Sequence, residues 1–248
     1  MSFLEEIATA TRARLADLPS GNPVKGRAGR LIEALRGRES LSVIAEVKRR
    51  SPSRGELAPF ADAVAQARRY QEGGASAISV LTEPSRFGGS LDDLQAVAAA
   101  VDVPVLMKDF LIDPEQVRVG ALLGASACLL IVRMLSGGQL DEMLAACSDH
   151  GLDALVECHD VDEVDRAVRS RAVVLGINNR DLDTLEVDTR RASELLPRVP
   201  ASAVAVAESG YLLPTDTHRL RGECDAVLIG SALMSTDTPE AFLAEVMV

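Results

Sequence analysis

Tryptophan is absent from the 248 residues and only 3% of them are aromatic, so any core must be built mainly from Leu, Val, Ile and Ala. No apolar stretch reaches the ~18 residues that a membrane-spanning helix needs. The amino-terminal MSFLEEIATATRARL carries acids at positions 5 and 6 and lacks the long apolar centre of an export signal. The four cysteines, Cys128, Cys147, Cys158 and Cys224, form no C-x-x-C pair, and His150, His159 and His218 show no metal-ligand spacing. Neither a metal nor an organic cofactor is expected. Free thiols without an export signal point to the cytoplasm. An excess of basic residues is also missing. With 26 Lys and Arg against 37 Asp and Glu, the net charge is −11, which argues against nucleic acid or an anionic membrane as partner. An anionic small molecule stays open, because a few well-placed cations make a pocket locally positive. The oligomeric state is not set by these totals, and a monomer is compatible with them.

What the chain does have is eight short, nearly continuous apolar runs, at 41–48, 77–82, 103–109, 127–132, 153–158, 173–179, 203–209 and 226–231. Runs of this kind suit parallel strands covered on both faces. Helical patterns alternate with them, at 61–72, 91–100, 115–123, 140–148, 161–168, 189–196, 215–220 and 239–246. Such a series either closes into a barrel or stays open as a doubly wound sheet. No G-x-G-x-x-G follows the first run, and polar groups end nearly every run instead of clustering at one switch point. The expected architecture is α/β, a (β/α)8 TIM barrel. It occupies 41–248 and follows a helical extension at 1–40 with amphipathic stretches at 2–18 and 27–36. No linker marks a second domain, so 1–248 is read as one.

Side chains two apart in a strand share a face, so Glu46 and Lys48 point the same way, as do Asn178 and Arg180 if the sixth strand runs on. The loop 49–55 (RRSPSRG), which contains Ser51, is turn-prone, and on composition alone it is equally a plain solvated loop. Lys108 sits in the apolar run VLMKDF, where a long cation is either snorkelling or paired inside a site. Glu157 closes the fifth run and Glu208 the seventh. Each alone reads as a barrel-mouth salt bridge. Together, two lysines and three carboxylates around one rim can divide acid from base roles. Ser209-Gly210 and Gly230-Ser231 follow the last two strands, where many barrels bind phosphate through backbone N–H groups.

Several blocks then resemble indole-3-glycerol phosphate synthases: IAEVKRRSPSRG (44–55), SVLTEPSRFGGSLDDL (79–94), PVLMKDFLIDPEQV (104–117), LVECHD (155–160), GINNRDLDTLEVD (176–188), AESGY (207–211) and LIGSALM (228–234). They occur in the family's order from about 41 to 234. The resemblance implies a (β/α)8 enzyme of tryptophan biosynthesis, a carboxy-lyase with a helical extension near the barrel mouth. It converts 1-(2-carboxyphenylamino)-1-deoxyribulose 5-phosphate to indole-3-glycerol phosphate with loss of CO2 and water. It also implies that Lys108 is the general acid on the C2′ carbonyl oxygen and that Glu157 removes a proton later. Asn178 holds Glu157 or the ribulose hydroxyls, and Lys48 serves phosphate binding and dehydration. Glu46 and Glu208 orient the lysines and hydroxyls, while Ser51 and Arg180 clamp the anthranilate carboxylate. Leu81, Phe87, Phe110, Leu129 and Ile131 are candidates for the slot holding the aromatic ring, with plain barrel packing as the alternative. An apolar surround of Met107, Phe110 and Leu129 is expected to lower the pKa of Lys108.

Cys158, Tyr211 and Gly120 depart from the usual family pattern; none is itself one of the proposed catalytic groups. A phosphoribosylanthranilate isomerase would share the fold but carries a Cys at the end of the first strand, where this chain has Glu46 and Lys48. A barrel that binds a phosphorylated aromatic metabolite without turning it over is the remaining alternative.

Overall fold

The structure, a computed structural model, describes residues 3–37, 40–52 and 55–248. Strands β1 (Ser42–Val47), β2 (Ala77–Leu81), β3 (Val105–Lys108), β4 (Ala127–Ile131), β5 (Asp153–Cys158), β6 (Val174–Asn178), β7 (Val204–Glu208) and β8 (Ala226–Ile229) are parallel and pair in chain order. β8 pairs with β1, from Ser42 opposite Ala226 to Ala45 opposite Ile229, and so closes the barrel.

Period-two alternation sorts the apolar side chains into two layers. Ile44, Leu106, Leu129, Leu155, Val174, Val206 and Leu228 fill the barrel interior. Val43, Ile78, Met107, Leu130, Val156, Leu175 and Val227 face outward under the helices. The main outer helices are α3 (Ala63–Glu72), α5 (Leu91–Ala100), α6 (Pro114–Leu122), α7 (Gly137–His150), α8 (Val161–Arg169), α9 (Arg190–Leu195) and α11 (Pro239–Met247). Their starts are written into the sequence. Asp113 with Gln116, and Ser136 with Gln139, form capping boxes, and Asp160 accepts from the Glu163 amide.

Several elements differ from the expectation. Two helices of four residues, α4 (Pro84–Phe87) and α10 (Ser231–Met234), follow β2 and β8 and are too short to leave a periodic pattern. The segment expected as an α-helix at 215–220 is a 3-10 helix, Pro214–Leu220. The turn-prone stretch after Lys48 forms a two-residue hairpin, Arg50–Ser51 against Gly55–Glu56, with positions 53 and 54 outside the described residues.

The extension also divides. Helix α1 (Phe3–Arg14), followed by a 3-10 turn Leu15–Asp17, lies over the carboxyl ends of the strands. Arg14 there donates to both carboxylate oxygens of Asp109, at 3.2 and 2.9 Å, and Phe3 meets Phe110 edge-on. Helix α2 is shorter than expected, Arg30–Leu35, because Gly29 turns the chain at φ 90°. It sits at the opposite end and not near the mouth. Its first amides and that of Gly29 donate to Asp153 at the start of β5, and buried Leu31 and Leu35 close that end.

Candidate active site

The carboxyl ends of the strands surround a cavity of about 500 Å3. Glu46, Lys48, Lys108, Glu157, Asn178, Arg180, Ser209, Gly210, Gly230 and Ser231 line it, with Leu81, Phe87, Phe110, Leu129 and Ile131. Glu208 is buried one step beneath the wall and touches the site through Lys108. Ser51 is buried in the hairpin and does not line the cavity.

The alternation that fills the barrel also delivers the charges. Ile44 and Leu106 point inward, so Glu46 and Lys108 follow on the same face two residues later. Lys48 Nζ lies 2.5 Å from Glu46 Oε1. Lys108 Nζ lies 3.2 Å from Glu208 Oε2, 3.4 Å from Glu157 Oε2 and 4.0 Å from Glu46 Oε2. Burial alone would lower the Lys108 pKa, but Glu208, Glu157 and Glu46 together raise it. The expected lowering is therefore corrected. Met107 contributes nothing to it, because it points outward under the helices.

Two buried carboxylates at this site are driven apart. Burial would raise Glu157, but Lys108, His159 and Asn178 overcome it and hold the group well below the ordinary range. Glu208 is raised to about 8, by burial and by the charge of Glu157, against the pull of Lys108. One carboxylate is thus ionised at neutral pH while its neighbour tends to keep a proton, the pattern of an acid and base pair.

Missing side chains make room for these groups. A methyl on Gly176 would overlap Glu208 Oε1, and one on Gly230 would overlap Glu46 Oε1 and stand 3.1 Å from Lys48 Nζ. Gly176 was not singled out from the sequence, although a glycine inside a strand run is the signal of a close approach. At the corner after β7, Ser209 and Gly210 have φ of 66° and 93°, which leaves that backbone turned toward the cavity. Asn179 holds the corner: its amide donates to Ser209 O at 2.9 Å and Tyr211 Oη at 3.0 Å. Tyr211 itself lines the cavity, so its departure from the family pattern falls on the wall of the site.

Asn178 ends β6 and accepts from the Arg180 amide. Beyond it, the loop folds back through an Arg180–Val187 bridge, and Arg180 Nη1 donates to Leu185 O. This places Leu182, Leu185 and Val187 on the cavity wall, none of which the sequence patterns indicate. Phe87 and Phe110 stand 6.0 Å apart across the apolar side. Asp109, beside Lys108, also lines the cavity and is fixed by Arg14 and Thr82. The arrangement combines an apolar slot, a buried ammonium among carboxylates, a guanidinium and a glycine corner.

Fold and site together define a (β/α)8 barrel with an ionic cluster at the carboxyl ends of its strands. The tryptophan synthase alpha subunit of Legionella pneumophila str. Paris shares that fold with a TM-score of 0.62, over 92% of this chain and 97% of that one, at 14% identity. A profile described as indole-3-glycerol phosphate synthase matches residues 4–246. Proteins of that name from Beutenbergia cavernae and Parafrankia sp. are 45% and 44% identical. The alignments cover 100% of this chain in both cases, and 95% and 96% of those proteins. The chain belongs to the indole-3-glycerol phosphate synthase family.

Proposed function

We propose that this cavity closes the indole ring of 1-(2-carboxyphenylamino)-1-deoxyribulose 5-phosphate, releasing CO2 and water to give indole-3-glycerol phosphate. The observation that carries the reading is Lys108 Nζ among Glu208, Glu157 and Glu46 at the base of an apolar slot. The aromatic carbon that bears the carboxylate attacks the C2′ carbonyl carbon, and Lys108 delivers a proton to the oxygen as the bond forms. A raised pKa keeps Lys108 charged until then, and the developing alkoxide is a far stronger base than the three carboxylates. Loss of CO2 returns its bonding electrons to the ring and restores aromaticity. Glu157, held ionised, takes a proton in the dehydration that follows, with Lys48 assisting departure of the hydroxyl.

Glu46 and Glu208 orient the two lysines, and Asn178 orients Glu157 or the ribulose hydroxyls. Arg180 suits the anthranilate carboxylate, since a guanidinium binds a carboxylate through parallel hydrogen bonds. Ser51 is assigned to the same clamp from the family resemblance, although it is buried in the hairpin and off the cavity wall. Ser209, Gly210, Gly230 and Ser231 take the phosphate. Leu81, Phe87, Phe110, Leu129 and Ile131 hold the ring. The reading calls for no cofactor. It describes a small-molecule enzyme of the cytoplasm that needs neither nucleic acid nor membrane. Four unpaired cysteines and the acidic balance support that setting. A monomer is the proposed state, with 1–248 as its single domain.

The test is conversion of the substrate to a fluorescent indole product by the purified protein. Lys108→Ala should lower kcat by at least ~10^2-fold while substrate binding persists, because an acid needed in the transition state is gone. Near-normal kcat in that variant removes Lys108 from the role, and no product from folded wild-type protein removes the function.

A further inference from the structure

We propose that His159 is a positioning residue that, as an imidazolium, clamps the outer oxygen of Glu157 and keeps the inner oxygen aimed at the reacting centre. The proposal rests on the role of Glu157 given above.

His159 leaves β5 on the same side as Glu157, and its ring is fully buried. Nε2 lies 3.2 Å from Glu157 Oε1, an ion-pair contact, and Nδ1 lies 3.0 Å from Glu163 Oε2. An ionised carboxylate only accepts hydrogen bonds and repels a bare ring nitrogen, so an imidazole facing one on each nitrogen is favoured with both protonated. Nδ1 is hydrogen-bonded to Glu163, while Nε2 meets Glu157 at ion-pair distance without hydrogen-bond alignment. Glu163 is in turn fixed from behind. Its Oε2 also accepts from the His159 amide at 2.7 Å, and its Oε1 accepts from Arg133 Nε at 2.7 Å. The result is a row of alternating charge that runs from half-buried Arg133 inward through Glu163, His159 and Glu157 to Lys108.

The row divides the oxygens of Glu157. Oε1 faces His159, while Oε2 faces Lys108 at 3.4 Å. The surrounding charges are Lys108 on the barrel side, Asp160 and Glu163 at the start of α8, and Arg133 after β4. Asp181 and Asp183 approach Arg133 from the loop after β6 at 3.7 Å. Cys158, between the two site residues, has its thiol pushed up by burial and by these carboxylates, so it stays neutral. Burial alone would lower the His159 pKa, but Glu157 and Glu163 raise it to about 9, in agreement with the two-proton geometry. Loss of the imidazolium would leave Glu157 and Glu208 competing for the same proton with only Lys108 between them.

The experiment joins a ring titration to kinetics. Nitrogen-15 NMR of the wild-type protein, with the His159 signal assigned by its loss in His159→Gln, should show both ring nitrogens protonated through neutral pH. His159→Gln should lower kcat by roughly tenfold to a hundredfold through loss of orientation, with KM little changed. The acidic limb of its kcat profile should move up by about 1–3 units, because a cation beside Glu157 has been removed. Glu163→Gln should lower the ring pKa and move the same limb in the same direction by less. A ring that is neutral at pH 7 overturns the proposal. So does a fall in kcat with the acidic limb unmoved, which would assign His159 to packing. If His159→Gln does not fold, Glu163→Gln and the wild-type titration decide. Absence of indole product from wild-type protein would count against the proposed function, whereas the titration reads the His159 pair independently of turnover.

Discussion

Individual residues set the protonation pattern, and it has a cost in stability that pH exposes. Glu208 goes from an ordinary 4.5 to about 8 on folding, and His159 from 6.5 to about 9. Both groups hold more protons folded than unfolded, so stability falls as pH rises, from 4.5 through about 8 for the first and from 6.5 through about 9 for the second. Urea denaturation across that window should show the decline, and His159→Gln should flatten its upper part; a stability that rises with pH there would contradict both assignments. Space matters as much as charge. Gly230→Ala must displace the Glu46–Lys48 pair, and we expect kcat/KM to drop by about tenfold or more, as expected when a reacting group is misplaced. Gly137→Ala adds a methyl into open space at the start of α7 and should leave kcat/KM unchanged while stabilising by a few tenths of a kcal/mol. Equal effects from the two substitutions would rule out crowding as the cause.

At the scale of elements, close helix-to-barrel contact explains Gly120. A methyl there would stand 3.0 Å from both Cys128 Sγ and Met107 Sδ, so α6 lies tight against β3 and β4. Gly120→Ala gains ~1 kcal/mol of helix propensity but overpacks this contact, at ~1–3 kcal/mol. A lowered melting temperature is expected, and a raised one would mean the contact yields freely. The strands were legible because each is a continuous apolar run, and their polar ends were legible because alternation carries the inward face on to Glu46, Lys108, Glu157 and Glu208. What alternation cannot reveal is a neighbour. Gly176 matters through a carboxylate on the adjacent strand, and His159 matters through Glu163 four residues on and Arg133 from the 3-10 turn after β4. Leu182, Leu185 and Val187 reach the cavity only because the loop folds back through Arg180. The later start of α2, at Arg30 where the pattern suggests 27, depends on the left-handed turn at Gly29, which helical periodicity does not encode.

Over the whole molecule, the extension fastens both ends of the barrel. The Asp153 carboxylate accepts from the amides of Gly29, Leu31 and Ile32 at the sealed end. Asp153→Ala leaves those buried donors unanswered and should destabilise by ~1–3 kcal/mol, while kcat, set at the far end, stays near wild type. A variant of unchanged melting temperature would show that α2 closes the barrel by apolar contact alone. The same fastening constrains the order of assembly. Arg14 meets Asp109 95 positions later, Gly29 meets Asp153 124 positions later, and Arg36 meets Ser202 166 positions later. The extension is made before the strands it fastens to, so it docks late, and until the fifth strand is made the helix that will plug the floor has no acceptor waiting for it.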